Sequence, residues 1–210
     1  MGLNDEEAMV ARAGLTAERL VLAGAELADE AGFDQVTVSA LARRFDVKVA
    51  SLYSHLKSSH QLKTDIALLA LAELADRAAE ALAGRSGKDA LIAFGDVFRD
   101  YAREHPGRYA ATRVELSPEA AAASAGGRHA QLMRAILRGY DLAEPEQTHA
   151  VRLMGSVFHG YVSLELSGGF SHSAPDSQQS WEFALDSLDA LLRGLPRSSG
   201  PGRPDTDERH

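Results

Sequence analysis

The chain has 210 residues, 45% hydrophobic and 25% charged, which is enough apolar material for a packed core and excludes wholesale disorder. It has no cysteine, so disulfides, thiolate nucleophiles and cysteine-ligated zinc are excluded and a reducing compartment fits best. The formal charge of −8 argues against a polyanionic partner unless positive charge is gathered locally.

Residues 1–14 read as a flexible polar arm, acidic at its start and without the basic-then-apolar order of a signal peptide. The longest apolar run, Ile66 to Ala72, falls far short of the roughly 20 residues a bilayer span needs. A soluble, cytoplasmic protein with no membrane partner is expected. Apolar residues recur at helical spacing almost throughout, and alanine and leucine abound, so the expected fold is all-α with about nine helices.

The first helix should start after Thr16, whose hydroxyl can cap it, with Leu15 and Leu20 as a hydrophobic staple, and stop at Gly32. A second starts at Thr37, with Val36 and Leu41 as its staple, and ends near Phe45, where Asp46 takes the turn. A third short helix is expected from Lys48 to His55, and a fourth from Ser58 or Ser59 to about Ala83. Later helices are predicted over Lys88–Glu104, Gly107–Glu115 and Pro118–Tyr140, the last open to a break at Gly126-Gly127. Two more run from Pro145 to Ser167 and from Asp176 or Ser177 to Gly194. From Pro196 onward the Pro, Gly and Ser content predicts a disordered tail over 196–210. The natural division is a small unit over 15–60 and a larger helical bundle over 61–195.

Two short helices joined around Asp46-Val47 have the spacing of a helix-turn-helix. Leu20, Leu27, Phe33, Leu41, Val47, Leu52 and Leu56 would form its core. The opposite face of the third helix would carry Lys48, Ala50, Ser51, Ser54 and His55, small or polar side chains suited to a DNA major groove. Lys48 stands where a capping Ser, Thr, Asp or Asn would stabilise the helix and opposes its dipole, a choice that makes sense beside phosphates or guanine edges. Arg43, Arg44, Lys48, Lys57 and Lys63 face only Asp46 between positions 43 and 63, a local +4 in a chain of −8. Affinity resting on such contacts falls steeply with salt.

The stretch from Val36 to Leu56, with its threonine cap, Leu41-Ala42 in the second helix and Leu52-Tyr53-Ser54-His55-Leu56 closing the third, resembles the DNA-binding domain of TetR/AcrR-family transcriptional regulators. That likeness implies phosphate contacts from the Thr37 and Tyr53 hydroxyls, with His55 beside the backbone. It turns Lys48, Val49, Ala50, Ser51 and Ser54 to base edges. The sequence departs from the family pattern at Asp46, where a turn glycine is usual, at Lys48-Val49, where Ser-Pro is usual, and at Ser59, where a lysine is usual. Lys57, His60 or Lys63 would replace that lysine's phosphate contact.

The stretch Arg152 to Leu166, containing His159-Gly160, resembles the His-Gly-containing regulatory domain of one TetR-like subgroup, with Gly155 where a tryptophan often stands. Wide apolar stripes follow from the last two helices: Val151, Met154, Phe158, Tyr161 and Val162 on one, Trp181, Leu185, Leu188, Leu192 and Leu195 on the other. They predict a two-fold homodimer whose recognition helices reach successive grooves of a palindromic operator, roughly 34–36 Å apart. A small-molecule effector would sit among Phe94, Phe98, Tyr101, Tyr109, Met133, Met154, Phe158 and His159. By the resemblance, the protein is expected to be a ligand-released repressor; no cofactor is expected, and the scattered histidines show no metal spacing.

Enzyme signatures are poor. Gly84-Arg85-Ser86-Gly87-Lys88-Asp89 has its glycines too close for a phosphate loop, and Glu146-x-x-His149 lacks the second pair a di-iron site needs. No catalysis is expected. A helical enzyme built on a His159 pocket and a protein-interaction module without DNA binding stay open as alternatives.

Overall fold

In a computed structural model, residues 15–197 are described. All regular structure among them is helical: ten α-helices and two 3-10 turns, in an all-α fold. The predicted caps hold the first helices in place. Thr16 Oγ1 accepts the Arg19 amide at 3.1 Å and starts α1 (Ala17–Ala31), with Leu15 and Leu20 both buried as its staple. Gly32, at φ 94°, ends it. After a 3-10 turn (Phe33–Gln35), Thr37 Oγ1 accepts the Ala40 amide at 3.0 Å and opens α2 (Val38–Arg44).

Next come α3 (Val49–Leu52), α4 (Ser59–Ala81), α5 (Gly87–Glu104), α6 (Pro106–Ala111), α7 (Pro118–Ala123) and α8 (Gly126–Leu137). A second 3-10 turn (Arg138–Tyr140), α9 (Glu146–Leu166) and α10 (Ser177–Arg193) complete the described chain. The single helix expected from Pro118 to Tyr140 is two helices and a 3-10 turn. Ser124 divides them: its hydroxyl donates to the Ala121 carbonyl at 2.7 Å and accepts from the Gly126 amide at 3.1 Å, a local alternative to the helical ladder. α6 stops at Ala111, short of the expected Glu115, where the Thr112 hydroxyl takes the Tyr109 carbonyl at 2.7 Å.

The described residues form two compact units, one of 15–81 with 96–129, the other of 82–95 with 130–197. Compactness thus groups the predicted 15–60 unit with α6, α7 and most of α4, because α1 alone cannot cover the apolar faces of α2 and α3. Leu20, Val36, Leu41, Leu52, Leu56, Leu62 and Ile66 are buried in one cluster, with Leu27, Phe33 and Val47 packed against it. α1 and α6 approach closely at Gly107. A Cβ on Gly107 would stand 1.9 Å from the Ala28 carbonyl oxygen.

In the second unit, α9 and α10 pack through Met154, Phe158, Val162, Trp181, Leu185, Leu188 and Leu192, all buried, with Phe94 joining from α5. Ring centroids lie 5.9 Å apart for Phe94 and Phe158 and 6.0 Å for Phe158 and Trp181. The predicted stripes are therefore largely consumed inside this unit. The apolar residues left outward are others: Leu164 and Leu166 on α9, Phe183 and Leu191 on α10, with Phe183 74% exposed. Pro196 and Arg197, expected in a disordered tail, are tied down. The Ala143 amide donates to the Pro196 carbonyl at 3.4 Å, and Leu142 bridges Arg197. The expected arm at 1–14 and the tail from 198 lie outside the described residues. No described helix is long and apolar enough to cross a membrane.

Candidate nucleic-acid interface

α2 ends in a Schellman turn. The Val47 amide donates to the Ala42 carbonyl at 2.9 Å and the Asp46 amide to the Arg43 carbonyl at 3.3 Å, while Asp46 takes the left-handed conformation at φ 51°. Aspartate tolerates that geometry better than most L-residues, which lets it replace the usual glycine. The turn delivers Lys48 in extended backbone at the head of α3, with no side-chain cap.

α3 is a single four-residue turn, shorter than the Lys48–His55 helix the sequence suggests. Residues 53–55 continue as turns, with the His55 amide donating to the Leu52 carbonyl at 2.9 Å. The cause is local: the Ser54 hydroxyl donates to the Ser51 carbonyl at 2.7 Å, and Ser and His are weak helix formers. Leu52 and Leu56 anchor this segment by burial. Everything else on it is presented outward: Lys48, Val49, Ala50, Tyr53, Ser54 and His55 are exposed and Ser51 is half-buried. Two of these are large and apolar, Tyr53 at 52% exposure and Val49 at 37%. Leu15, Ala50, Ser51, Ser54 and His55 line an open hollow of about 420 Å³ on this face.

These bonds set what each hydroxyl can offer. Thr37 accepts from the Ala40 amide, which leaves its proton for an external acceptor such as a phosphate oxygen. Ser54 has given its proton to the Ser51 carbonyl, so it can meet a base edge only as an acceptor.

The cationic cluster is smaller than the sequence count. Arg44 reaches back to α1, with Nη1 2.7 Å from Glu30 and Nη2 2.8 Å from Glu26, and the guanidinium holds the Glu30 carboxyl below its ordinary pKa. Its charge is answered within the protein. Lys63 is half-buried, its ammonium 5.1 Å from the centre of the Phe33 ring. Arg43, Lys48 and Lys57 are exposed and make no ion pair among the described residues. Taken with Asp46, these three leave a net +2 on the outward face around α3.

The sequence-predicted effector residues divide between the units. Phe94, Met154, Phe158, Met133 and His159 belong to the second, where the first three are core. His159 Nε2 lies 3.5 Å from Ser163, one turn along its own helix. Phe98, Tyr101 and Tyr109 belong to the first. Burial pushes the Tyr109 hydroxyl up to about 12. Tyr101 is fully buried and donates to Glu73 at 2.8 Å; burial, with that carboxylate beside it, pushes its hydroxyl far above the ordinary value.

That tyrosine belongs to a polar seam for which no local sequence signal exists. Asp29 of α1 accepts the Arg108 amide at 2.8 Å and lies 3.1 Å from Arg108 Nε; Glu73 of α4 lies 3.2 Å from Arg108 Nη1. His105 sits between Asp29, 3.1 Å from Nδ1, and Arg77, whose Nη2 is 3.1 Å from Nε2. An arginine can only donate, so Nε2 is the bare nitrogen and Nδ1–H points at Asp29. The seam ties α1, the support of the helix-turn-helix, to α4 and α6. Among the described residues no cluster of three His, Asp or Glu suits a metal ion.

Comparison with known proteins agrees with this geometry. Residues 20–62 match the family model described as bacterial regulatory proteins, tetR family, and 91–188 match the tetracyclin repressor-like C-terminal domain. The chain is 34% identical over 160 residues to the HTH-type transcriptional regulator Rv0681 of Mycobacterium tuberculosis, covering 74% of this chain and 72% of that one. Among solved structures, the TetR family transcriptional regulator PfmR from Thermus thermophilus superposes with a TM-score of 0.61 at 26% identity, covering 88% of this chain and 99% of that one. The Streptomyces coelicolor TetR family protein ActR, solved in complex with (S)-DNPA, shares the fold at a TM-score of 0.62 and 18% identity, covering 85% of this chain and 96% of that one.

Proposed function

The chain belongs to the TetR family and is a DNA-binding transcriptional regulator, and from that premise we propose that it is a cytoplasmic repressor that binds a palindromic operator as a homodimer and is released by a small molecule. The observation that carries the reading is the outward face of α3. Val49 and Tyr53 are exposed on the same segment as Lys48, with Arg43 and Lys57 making no ion pair among the described residues, and Leu52 and Leu56 anchor the segment by burial. Exposed apolar groups interleaved with free cations are costly in solvent and useful against thymine methyls and phosphates. We assign Thr37, Tyr53, His55 and Lys57 to the phosphates and Lys48, Val49, Ala50, Ser51 and Ser54 to base edges. We take 15–60 as the reading domain and 61–195 as the regulatory one.

For the dimer we assign Leu164, Leu166, Phe183 and Leu191, the apolar surface that α9 and α10 leave uncovered. A ligand weakens operator binding by preferring the conformation in which the two reading heads are mis-spaced; coupling of about 1–3 kcal/mol would change affinity roughly 5- to 150-fold. The ligand complex of ActR supports a small-molecule role for the fold.

Selection from random oligonucleotides at low salt tests this directly. The full chain should recover a palindrome whose half-sites lie about one helical turn apart. Recovery of no DNA would sink the reading and favour a protein-interaction module. Turnover of a small molecule that depends on His159 would favour an enzyme.

A further inference from the structure

The hollow on the outward face of α3 is built by residues of two origins. Ala50, Ser51, Ser54 and His55 come from the reading segment. Leu15, which is buried, comes from just before the Thr16 cap of α1. Consecutive Cα atoms stand about 3.8 Å apart, so residues 1–14 join the described chain at the wall of this hollow. From Leu15 back to Glu7 the chain can reach up to about 28 Å at full extension, far more than a hollow of about 420 Å³ requires.

The charges on the two sides are complementary. Residues 1–14 carry Asp5, Glu6 and Glu7 against Arg12, a net −2. The face carries Arg43, Lys48 and Lys57 against Asp46, a net +2, and these three cations are exposed with no ion pair among the described residues. The spacing of the acidic residues fits as well. On consecutive positions they set one negative charge per roughly 3.3–3.6 Å of extended chain, close to the spacing of phosphates along one strand of a duplex, about 3.4 Å. Leu3 on one side and Met9-Val10 on the other add apolar side chains, and the face exposes Val49 and Tyr53 along with its cations. As a free peptide such a segment would bind weakly, because exposed ion pairs are worth little and salt screens them. Tethered at the hollow, it acts at an effective concentration on the order of millimolar.

We propose that the hollow takes this chain's own acidic segment, Asp5-Glu6-Glu7 with its apolar flanks, and that the segment competes with DNA for the α3 face. Lys48 and Lys57 cannot answer these carboxylates and phosphates at once. Ala50, Ser51 and Ser54 cannot meet a base edge while the segment covers them. The proposal rests on reading this face as the DNA contact. Its consequence is a brake that salt loosens: raising salt weakens the grip of the segment together with that of DNA, so the salt dependence of DNA binding is shallower than the face alone would give.

The test compares three versions of the whole chain: wild type, D5N/E6Q/E7Q, and D205N/D207N/E208Q, which removes the same three charges near the other end of the sequence. On a random-sequence duplex at low salt, read by fluorescence anisotropy, D5N/E6Q/E7Q should bind about fivefold more tightly than D205N/D207N/E208Q, the value of a few exposed ion pairs. That gain should fade as salt is raised. Without DNA, the backbone amide resonances of Ser51, Ser54 and His55 should shift between wild type and D5N/E6Q/E7Q and stay in place in D205N/D207N/E208Q. Equal affinities of the two variants or unmoved amides overturn the proposal. Weaker binding by D5N/E6Q/E7Q overturns it too, and puts the segment on DNA. Shifts that grow with protein concentration put the segment on a further copy and overturn the contact within one chain. A recovered palindrome with unmoved amides sinks this inference and leaves the regulator standing. If none of the three chains recovers DNA, the operator reading falls and the competition falls with it, even where the amides place the segment in the hollow.

Discussion

The outward face of α3 and the seam between α1 and α6 are both rich in charge, and they use it in opposite ways. In the seam, partly buried Arg108 stands 3.1 Å from Asp29 and 3.2 Å from Glu73, and His105 bridges Asp29 and Arg77 at 3.1 Å each, so charge there is answered by neighbours. On the face, Arg43, Lys48 and Lys57 stand in solvent with no ion pair among the described residues. Charge answered inside the protein builds it; charge left unanswered on an exposed, partly apolar surface points to a partner. Arg44 shows the distinction at a single residue, since it adjoins the reading face in sequence and belongs to the protein's own ion pairs in space.

The largest effect that would break this contrast lies in the seam. Gly107→Ala drives a methyl into the Ala28 carbonyl and should destabilise by about 4 kcal/mol or more, lowering the melting temperature by roughly 10 °C or more in calorimetry. A fully stable G107A would show that α1 and α6 do not depend on this approach. Arg108→Ala follows, leaving Asp29 and Glu73 as partly buried carboxylates without their shared cation, at about 3 kcal/mol in denaturant titration.

On the face the effects should appear in DNA binding and leave stability alone. Tyr53→Phe should weaken binding about fivefold on every sequence, and Lys48→Ala should change which bases are preferred, measured by fluorescence anisotropy on operator variants. If both act equally on all sequences, the division between positioning and reading is wrong. Arg44→Ala sharpens the comparison further: we expect no more than about 1 kcal/mol of stability and little change in the salt slope of DNA binding, whereas Lys57→Ala should lower that slope by about one. The smallest effect is a pH dependence. His129 has a folded pKa below its ordinary 6.5, so below that pH the unfolded chain binds the extra proton. Stability from this residue should be full above pH 6.5 and decline as the pH falls from there, and melting curves of H129Q should lack that slope.

Local chemistry was legible in the sequence. Thr16, Thr37 and Asp176 cap their helices, the Leu15/Leu20 and Val36/Leu41 pairs are buried, and Asp46 takes the left-handed turn, because each depends on neighbours within a few positions. The same locality exposes the face around Lys48 and Tyr53. Where two local options compete, pattern reading fails: Ser54 and Ser124 each take a backbone carbonyl and stop a helix that periodicity would have continued. Contacts across distance left no sign. Asp29 and Arg108 are 79 positions apart, Leu71 and His129 are 58, and nothing in either neighbourhood announces the other. The apolar stripes of α9 and α10 were read correctly as stripes, but a one-dimensional pattern cannot tell a face turned to its own core from one left for a second subunit.

The brevity of α3 has an evolutionary consequence. Leu52 and Leu56 fasten the segment from behind, so Lys48, Val49 and Ala50 contribute little to holding it and can be exchanged without compensating change elsewhere. Such a tip can drift to a new target while the rest of the molecule stands still, and duplicated copies could part ways in what they control through a handful of substitutions that leave folding untouched.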